Sequence, residues 1–167
     1  ISYAMEVRGV RNWQQRTDEL LARFRLSDLD GRDGRLLSGG QMRRASLAIG
    51  IALNPGVLLL DEPTANLDIA TRREIIDVLQ QMKDIINTAV IATHDMQLVC
   101  QWAQRIIVLC NGKVVADGSR DEIFSRQDIA ELVGIRPPEI FSMARALDNR
   151  ALCYTINEFT SSFQKGV

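Results

Sequence analysis

Two adjacent carboxylates, Asp61 and Glu62, close the apolar run Val57-Leu58-Leu59-Leu60 and stand just before Pro63. A short unbroken apolar run fits a strand buried on both faces, as in a parallel sheet. Ligands of open α/β sheets collect at the carboxyl ends of such strands. One carboxylate there can hold Mg²⁺ through water, while its neighbour orients or deprotonates an attacking water. His94, the only histidine, follows a second apolar run at residues 89–93. A neutral imidazole in that place can contact a γ-phosphate or hold the attacking water in line. Leu37-Ser38-Gly39-Gly40-Gln41 opens a helical pattern. Serine caps a helix, paired glycines allow close approach, and the exposed amides with the helix dipole then face an anion, most simply a phosphate. Taken alone, each feature has a commoner structural reading: a solvated acidic strand end, a satisfied lone histidine, a serine cap after a flexible loop. Asp68 in Ala65-Asn66-Leu67-Asp68 reads equally as a plain helix cap before Thr71.

The elements that position these residues alternate. Trp13, Leu20, Leu21 and Phe24 recur at helical intervals over residues 12–24, with Asn12 as the expected cap. After a charged loop at residues 30–35, Ala45, Ala48, Ile49 and Ala52 form one helical stripe, which Asn54-Pro55-Gly56 stops. The strand ending at Asp61 is followed by an expected helix over residues 71–84, with Ile75, Ile76, Leu79 and Met82 inward. A second buried strand over residues 89–93 leads to a helix beginning at Asp95. Strand–helix–strand–helix alternation predicts an α/β layer fold. Asn111-Gly112 between two apolar runs predicts a β-hairpin. Ser119 and Glu122 have capping-box spacing, and Gly134, Pro137 and Pro138 mark a boundary before a helix over residues 139–147.

Bulk properties exclude several classes. The 167 residues carry 20 basic and 21 acidic side chains, a formal charge of −1, so nothing points to nucleic acid as a partner. Apolar runs are far too short to cross a bilayer, and no secretion leader is expected. Cys100, Cys110 and Cys153 lack metal-ligand spacing and read as packing residues in a reducing compartment.

The joint order of these motifs is more specific than any one of them. Leu-Ser-Gly-Gly-Gln, a helix, four apolar residues, Asp-Glu-Pro-Thr-Ala-Asn-Leu-Asp and then Ala-Thr-His-Asp resembles the ATP-binding-cassette (ABC) ATPases over residues 36–126. The resemblance implies ATP and Mg²⁺ as cofactors. It makes Ser38, Gly39, Gly40 and Gln41 the signature loop, Asp61 the end of the Walker B motif and a water-mediated Mg²⁺ ligand, and Glu62 the catalytic carboxylate. Asn66, Leu67 and Asp68 fall in the loop that crosses to a partner subunit, and His94 matches the switch histidine. Asn66 stands where many relatives have glycine.

The G-x-x-x-x-G-K-[ST] loop that cradles phosphates does not occur, and Lys83, Lys113 and Lys165 stand in the wrong settings for it. The glutamine loop also has no counterpart. The resemblance therefore implies an incomplete P-loop NTPase: part of the helical subdomain over residues 1–54, core parallel strands over 55–133 with a hairpin, and a C-terminal extension of terminal helices over 134–167. The strand leading into the phosphate loop is missing from its expected slot between the strand before His94 and the strand near Ile106. Truncation is the favoured explanation, with another chain filling the slot as the alternative.

Gly134-Ile135-Arg136-Pro137-Pro138-Glu139-Ile140 and Thr155-Ile156-Asn157-Glu158-Phe159 resemble the C-terminal segments of energy-coupling-factor ATPases, which drive importers of vitamins and transition-metal ions. An unrelated proline-marked linker is the plainer reading of the same residues. The implied assembly is a head-to-tail dimer of ATPase subunits, in which Glu62 serves its own subunit's ATP and Ser38 and Gly40 serve the partner's. A transmembrane component would bind the helical subdomain, placing the protein on the cytoplasmic face of the membrane. Two alternatives remain: a DNA-repair or chromosome ATPase, which would need long heptads before the signature, and a non-hydrolysing subunit that completes a partner's site.

Overall fold

Helical periodicity governs the first third of the chain, and in the computed structural model it produces α1 (Ser2–Val7), α2 (Trp13–Arg23) and α3 (Gly39–Ala52). The structure describes residues 1–148 and 150–163; Lys165, with the end of the expected C-terminal extension, lies outside the described residues. The chain forms two compact units, Ile1–Thr93 and His94–Val167.

In the first unit, α3 is followed by β1 (Val57–Asp61), α4 (Ile69–Met82) and β2 (Thr88–Ala92). The strands pair in parallel, from Val57 opposite Thr88 to Asp61 opposite Ala92. This is the βαβ arrangement that the alternation predicts, and the inward positions of α4, Ile75, Ile76, Leu79 and Met82, are buried as expected. Three local expectations need correction. Asn12 gives α2 no side-chain cap; it takes a left-handed conformation (φ 57°), a turn role that its short polar side chain tolerates. The stripe of α3 is rotated: Leu47, Ala48, Ile51 and Ala52 are buried, whereas Ile49 is half exposed. Ala48 and Ala52 belong to both phases of the pattern, and the larger Leu47 and Ile51 take the core side. The strands are not buried on both faces. Side chains alternate across a strand, and only the face of Leu58, which α3 approaches at Gly50, is covered. Leu59 is 74% exposed and Val90 54%.

One helix ties the ends of two others. Arg16 of α2 donates to the carbonyls of Ala52 (2.8 Å) and Ile51 (3.2 Å) at the end of α3. Arg23, two turns further along α2, donates to the carbonyl of Gln81 at the end of α4. Seven residues of helix span about 10 Å, the separation of two packed helix axes, so one face of α2 reaches both ends. Each guanidinium donates to last-turn carbonyls and meets the negative end of the helix dipole.

The second unit begins with α5 (Met96–Trp102), capped by Asp95, whose carboxylate accepts from the amides of Gln97 and Leu98. The hairpin of β3 (Ile106–Cys110) and β4 (Lys113–Gly118) turns through Asn111 (φ 49°) and Gly112 (φ 73°). Positive φ at both positions is the type I′ geometry that Asn-Gly favours. The Ser119–Glu122 capping box starts α6 (Arg120–Phe124) as expected. α7 (Gln127–Val133), which ends at left-handed Gly134, is an addition to the expected elements. α8 (Glu139–Leu147) has its expected bounds. α9 (Ile156–Phe163) opens with an unanticipated reciprocal cap: Thr155 Oγ1 accepts from the Glu158 amide, and Glu158 accepts from the amides of Tyr154 and Thr155. Tyr154 packs between Phe124 and Phe141, with the Arg120 guanidinium 4.1 Å above its ring. Cys100 lies in the same core, and desolvation pushes its thiol up to about 12. It is therefore an inert packing residue. Among the described residues no helix is long and apolar enough to cross a membrane.

Leu79→Ala, at a fully buried position of α4, is expected to cost about 2–5 kcal/mol. Ile69→Ala, at an exposed position of the same helix, is expected to stay within about 0.5 kcal/mol. Native-state hydrogen exchange of the α4 amides reads both.

Candidate functional site

The βαβ unit ends its first strand in a turn that no ordinary residue would choose. Asp61 still pairs with Ala92, and the Glu62 amide extends the ladder by donating to the Ala92 carbonyl (2.9 Å). Glu62 itself then enters the left-handed region (φ 43°), uncommon for a residue with a side chain and concentrated at functional sites. The turn closes as the Ala65 amide donates to the Glu62 carbonyl (3.2 Å), over buried Pro63 and Thr64. The half-buried Glu62 carboxylate accepts a hydrogen bond from the Thr93 hydroxyl (3.1 Å) at the end of β2. The catalytic candidate is thus fixed by its own strand, its turn and the neighbouring strand. Asp61 is exposed beside it.

Adjacent oxygen donors of this kind suit Mg²⁺, which is commonly held by one or two carboxylates with phosphates and waters completing its shell. Among the described residues no group of three or more His, Cys, Asp or Glu side chains is placed to hold a metal. Asp61 and Glu62 therefore fit a cation that a bound nucleotide helps to hold.

A second cluster forms where α3 and α4 begin. Ser38 and Gln41 make a reciprocal cap: the Gln41 amide donates to Ser38 Oγ (3.3 Å), and the Ser38 amide donates to Gln41 Oε1 (2.9 Å). Ser38 and Gly39 are exposed, while Gly40 is partly covered. Asp68 caps α4, accepting from the Thr71 amide (3.0 Å) and the Thr71 hydroxyl (2.6 Å). The hydroxyl bond is the main reason its carboxyl lies below the usual carboxylate range. Asn66, in the loop before this cap, is left-handed (φ 59°). That conformation suits glycine and asparagine better than other residues, which explains how Asn66 fills a glycine position. One rung into the helices, Arg44 of α3 forms an ion pair with Glu74 of α4.

The first unit therefore gathers the sequence-derived residues into a strand-end group, Asp61 and Glu62, and a helix-start group, Ser38 to Gln41 with Asp68. His94 is exposed and opens the second unit. Thr93, the hydrogen-bond donor to Glu62, escaped the sequence reading although it stands in the Ala-Thr-His-Asp motif itself. Thr71 escaped it too, because a threonine at the start of a helix carries no sign of what it touches.

Comparison with known proteins shows what the chain is similar to. Residues 2–65 match the ABC transporter family model. The chain is 38% identical over 129 residues to the cobalt import ATP-binding protein CbiO of Rhodobacter capsulatus, covering 77% of this chain and 46% of that protein. It is 33% identical over 139 residues to the energy-coupling factor transporter ATP-binding protein EcfA2 of Methanospirillum hungatei, covering 83% of this chain and 35% of that protein. Among solved structures it resembles cbiO1 of Clostridium perfringens, part of the ABC transporter complex cbiONQ, with 33% identity and a TM-score of 0.62 over 77% of this chain and 51% of that one. The chain belongs to the ATP-binding-cassette ATPases and shares their α/β fold. Its relatives within that family include the CbiO and EcfA2 ATP-binding proteins, and it spans half or less of the length of these two.

Two substitutions and a pH series test the helix-start group. Asn66→Gly is expected to leave stability nearly unchanged, whereas Asn66→Ala is expected to cost about 1–2 kcal/mol because alanine resists the left-handed region. Thermal melts distinguish them. Since the folded state lowers the Asp68 pKa, its cap is complete above the ordinary carboxylate range and is lost as pH falls through the depressed value. Exchange at the Thr71 amide should therefore show excess opening only in acid.

Proposed function

We propose that this chain supplies the signature loop and catalytic carboxylate of an ATP-hydrolysing subunit that energises a membrane importer of the energy-coupling-factor type, carrying vitamins or transition-metal ions. The observation that carries the hydrolytic part is Glu62. A carboxylate held in a left-handed turn at a strand end, with Thr93 on one oxygen, supports a role on a reacting group. The transport part rests on the cobalt import and energy-coupling-factor relatives and on the resemblance of residues 134–140 and 155–159 to their C-terminal segments.

In this mechanism Glu62 orients the attacking water on the ATP of its own subunit and accepts its proton. Thr93 donates to one Glu62 oxygen and so helps to orient the carboxylate toward the water. His94 contacts the γ-phosphate or keeps the water in line. Asp61 would hold Mg²⁺ through water, and the bound ion would supply neutralising charge on the β- and γ-phosphates. Ser38, with the amides of Gly39, Gly40 and Gln41, closes over the nucleotide of a second ATPase subunit in a head-to-tail dimer. The loop ending at Asp68 crosses to that subunit. Residues 1–54 serve as the signature-bearing part of the helical subdomain, which meets the transmembrane component. Residues 55–133 serve as core and residues 134–167 as C-terminal extension, and the assembly lies on the cytoplasmic face of the membrane.

The competing readings lose ground on particular residues. A chromosome or DNA-repair ATPase would carry long heptads before the signature, and α2 covers only Trp13–Arg23. A deliberately inactive subunit would have no need of Glu62 and its Thr93 tether.

The test is steady-state hydrolysis by a protein of the relatives' full length that contains this chain, assembled with its partner ATPase. Glu62→Gln should lower kcat by about 10²–10⁴-fold, the usual contribution of a general base, and leave ATP binding intact. The 167-residue chain alone should turn over no ATP, because positioning on the phosphates supplies most of the catalysis in phosphoryl transfer. Wild-type hydrolysis by the Glu62→Gln complex would favour the non-hydrolysing subunit instead.

A further inference from the structure

Gly40 and Thr71 touch where two exposed loops begin their helices. A Cβ built on Gly40 would lie 2.5 Å from Thr71 Cγ2, with the other Thr71 atoms no nearer than 3.7 Å. Gly40 has ordinary helical backbone, so its missing side chain answers to this methyl group and not to backbone strain. The other branch of the same side chain points elsewhere: Thr71 Oγ1 donates to Asp68 Oδ2 at 2.6 Å, and the Thr71 amide donates to Oδ1 at 3.0 Å. One threonine thus seats its methyl on the Ser38–Gln41 segment and ties its hydroxyl to the end of the Ala65–Asp68 loop. The Arg44–Glu74 ion pair braces the same two helices one turn further in, and Arg16 and Arg23 of α2 hold their far ends. With both ends braced, a shift at Gly40 has no soft outlet except through Thr71.

We propose that Thr71 is a positioning residue that locks the Ser38–Gln41 segment and the Ala65–Asp68 loop into one rigid piece, so that neither moves without the other. This rests on the proposed function in one respect: both segments would face the partner subunit, and their joint placement would set the rate of hydrolysis there. Thr71 itself touches no nucleotide in this account.

The methyl–glycine contact makes an unusual prediction, because one methyl group can be exchanged for another. Gly40→Ala adds a carbon where Cγ2 already sits, and Thr71→Ser removes that Cγ2 while keeping the hydroxyl bond to Asp68. In the full-length protein with its partner subunit, Gly40→Ala should lower kcat by about 10²-fold, as expected of a misplacement near 1 Å. Thr71→Ser alone should lower it by about threefold, and the double variant should exceed both single variants, a strong departure from additivity. KM for ATP should stay constant through the series, and kcat is referred to the folded fraction of each variant, because a loss of folded protein would also lower apparent kcat without moving KM. Amide exchange supplies a readout independent of turnover. Gly40→Ala should speed exchange at Thr71 and residues 66–68, Thr71→Val should do the same by losing the hydroxyl tie, and the Gly40→Ala/Thr71→Ser double variant should restore protection. A double variant no better than Gly40→Ala, or unchanged exchange at residues 66–68 in Gly40→Ala, overturns the proposal. If the wild-type protein hydrolyses no ATP, the proposed function fails, and the exchange series still decides whether Thr71 couples the two segments.

Discussion

The contact between Gly40 and Thr71 is the constraint on which the rest of the first unit turns. Two helices can lie this close at their starts only if one of them offers no side chain at the crossing. Gly40 meets that requirement, and the approach puts the capped starts of both helices, at Ser38 and Asp68, at the same end of the pair. Both helices then run in the same direction from the shared end. Their aligned dipoles would repel one another at both ends if left uncompensated. Asp68 supplies negative charge at the start of α4, and Arg16 and Arg23 supply positive charge at the far ends of both helices. Capping, packing and electrostatics therefore point to one arrangement, which is the mark of a well-specified fold.

From α4 the constraint passes to the strand end. α4 is the crossover between β1 and β2, so its position fixes how the parallel pair presents Asp61 and Glu62. The left-handed turn at Glu62 carries a local conformational cost of about 1–3 kcal/mol, and the ladder bond to Ala92, the Ala65 turn bond and the Thr93 hydroxyl offset it. A carboxylate held in that way has little freedom left to reorganise during reaction, a property that favours electrostatic preorganisation. In our proposal the same chain carries a helix-start group that serves a nucleotide on another subunit. In our proposal each half of the chemistry is complete only in an assembly.

Much of this was legible in the sequence, for physical reasons that differ by element. The hairpin was readable because Asn111-Gly112 has few other uses, and the cap at Ser119 because its partner Glu122 lies three residues away. Asp61, Glu62 and the helix cap at Ser38 were readable because an abrupt switch from apolar to acidic or glycine-rich residues marks an element end. What escaped was either local or tertiary. The rotation of α3 escaped because Ala48 and Ala52 fit two phases equally. The burial of the strands on one face only could not be read from an apolar run, which gives hydrophobicity but not what covers it. The left-handed φ of Glu62, the Thr93 tether and the reach of α2 to two helix ends depend on contacts between residues tens of positions apart. Thr71 is the plainest case: its local role as the residue after a cap is visible, and its seat on Gly40 is not.

The central claim is that Glu62 and the Ser38–Gln41 segment of one subunit act on different nucleotides. Hydrolysis by mixed dimers tests it most directly, with one substitution at Glu62 and another at Ser38, placed either on opposite subunits or on the same one. The account predicts that opposite placement leaves one composite site intact, with measurable turnover, whereas placement on one subunit disables both sites. Turnover surviving only when both substitutions share a subunit would show that the two groups serve the same nucleotide, and would contradict the account.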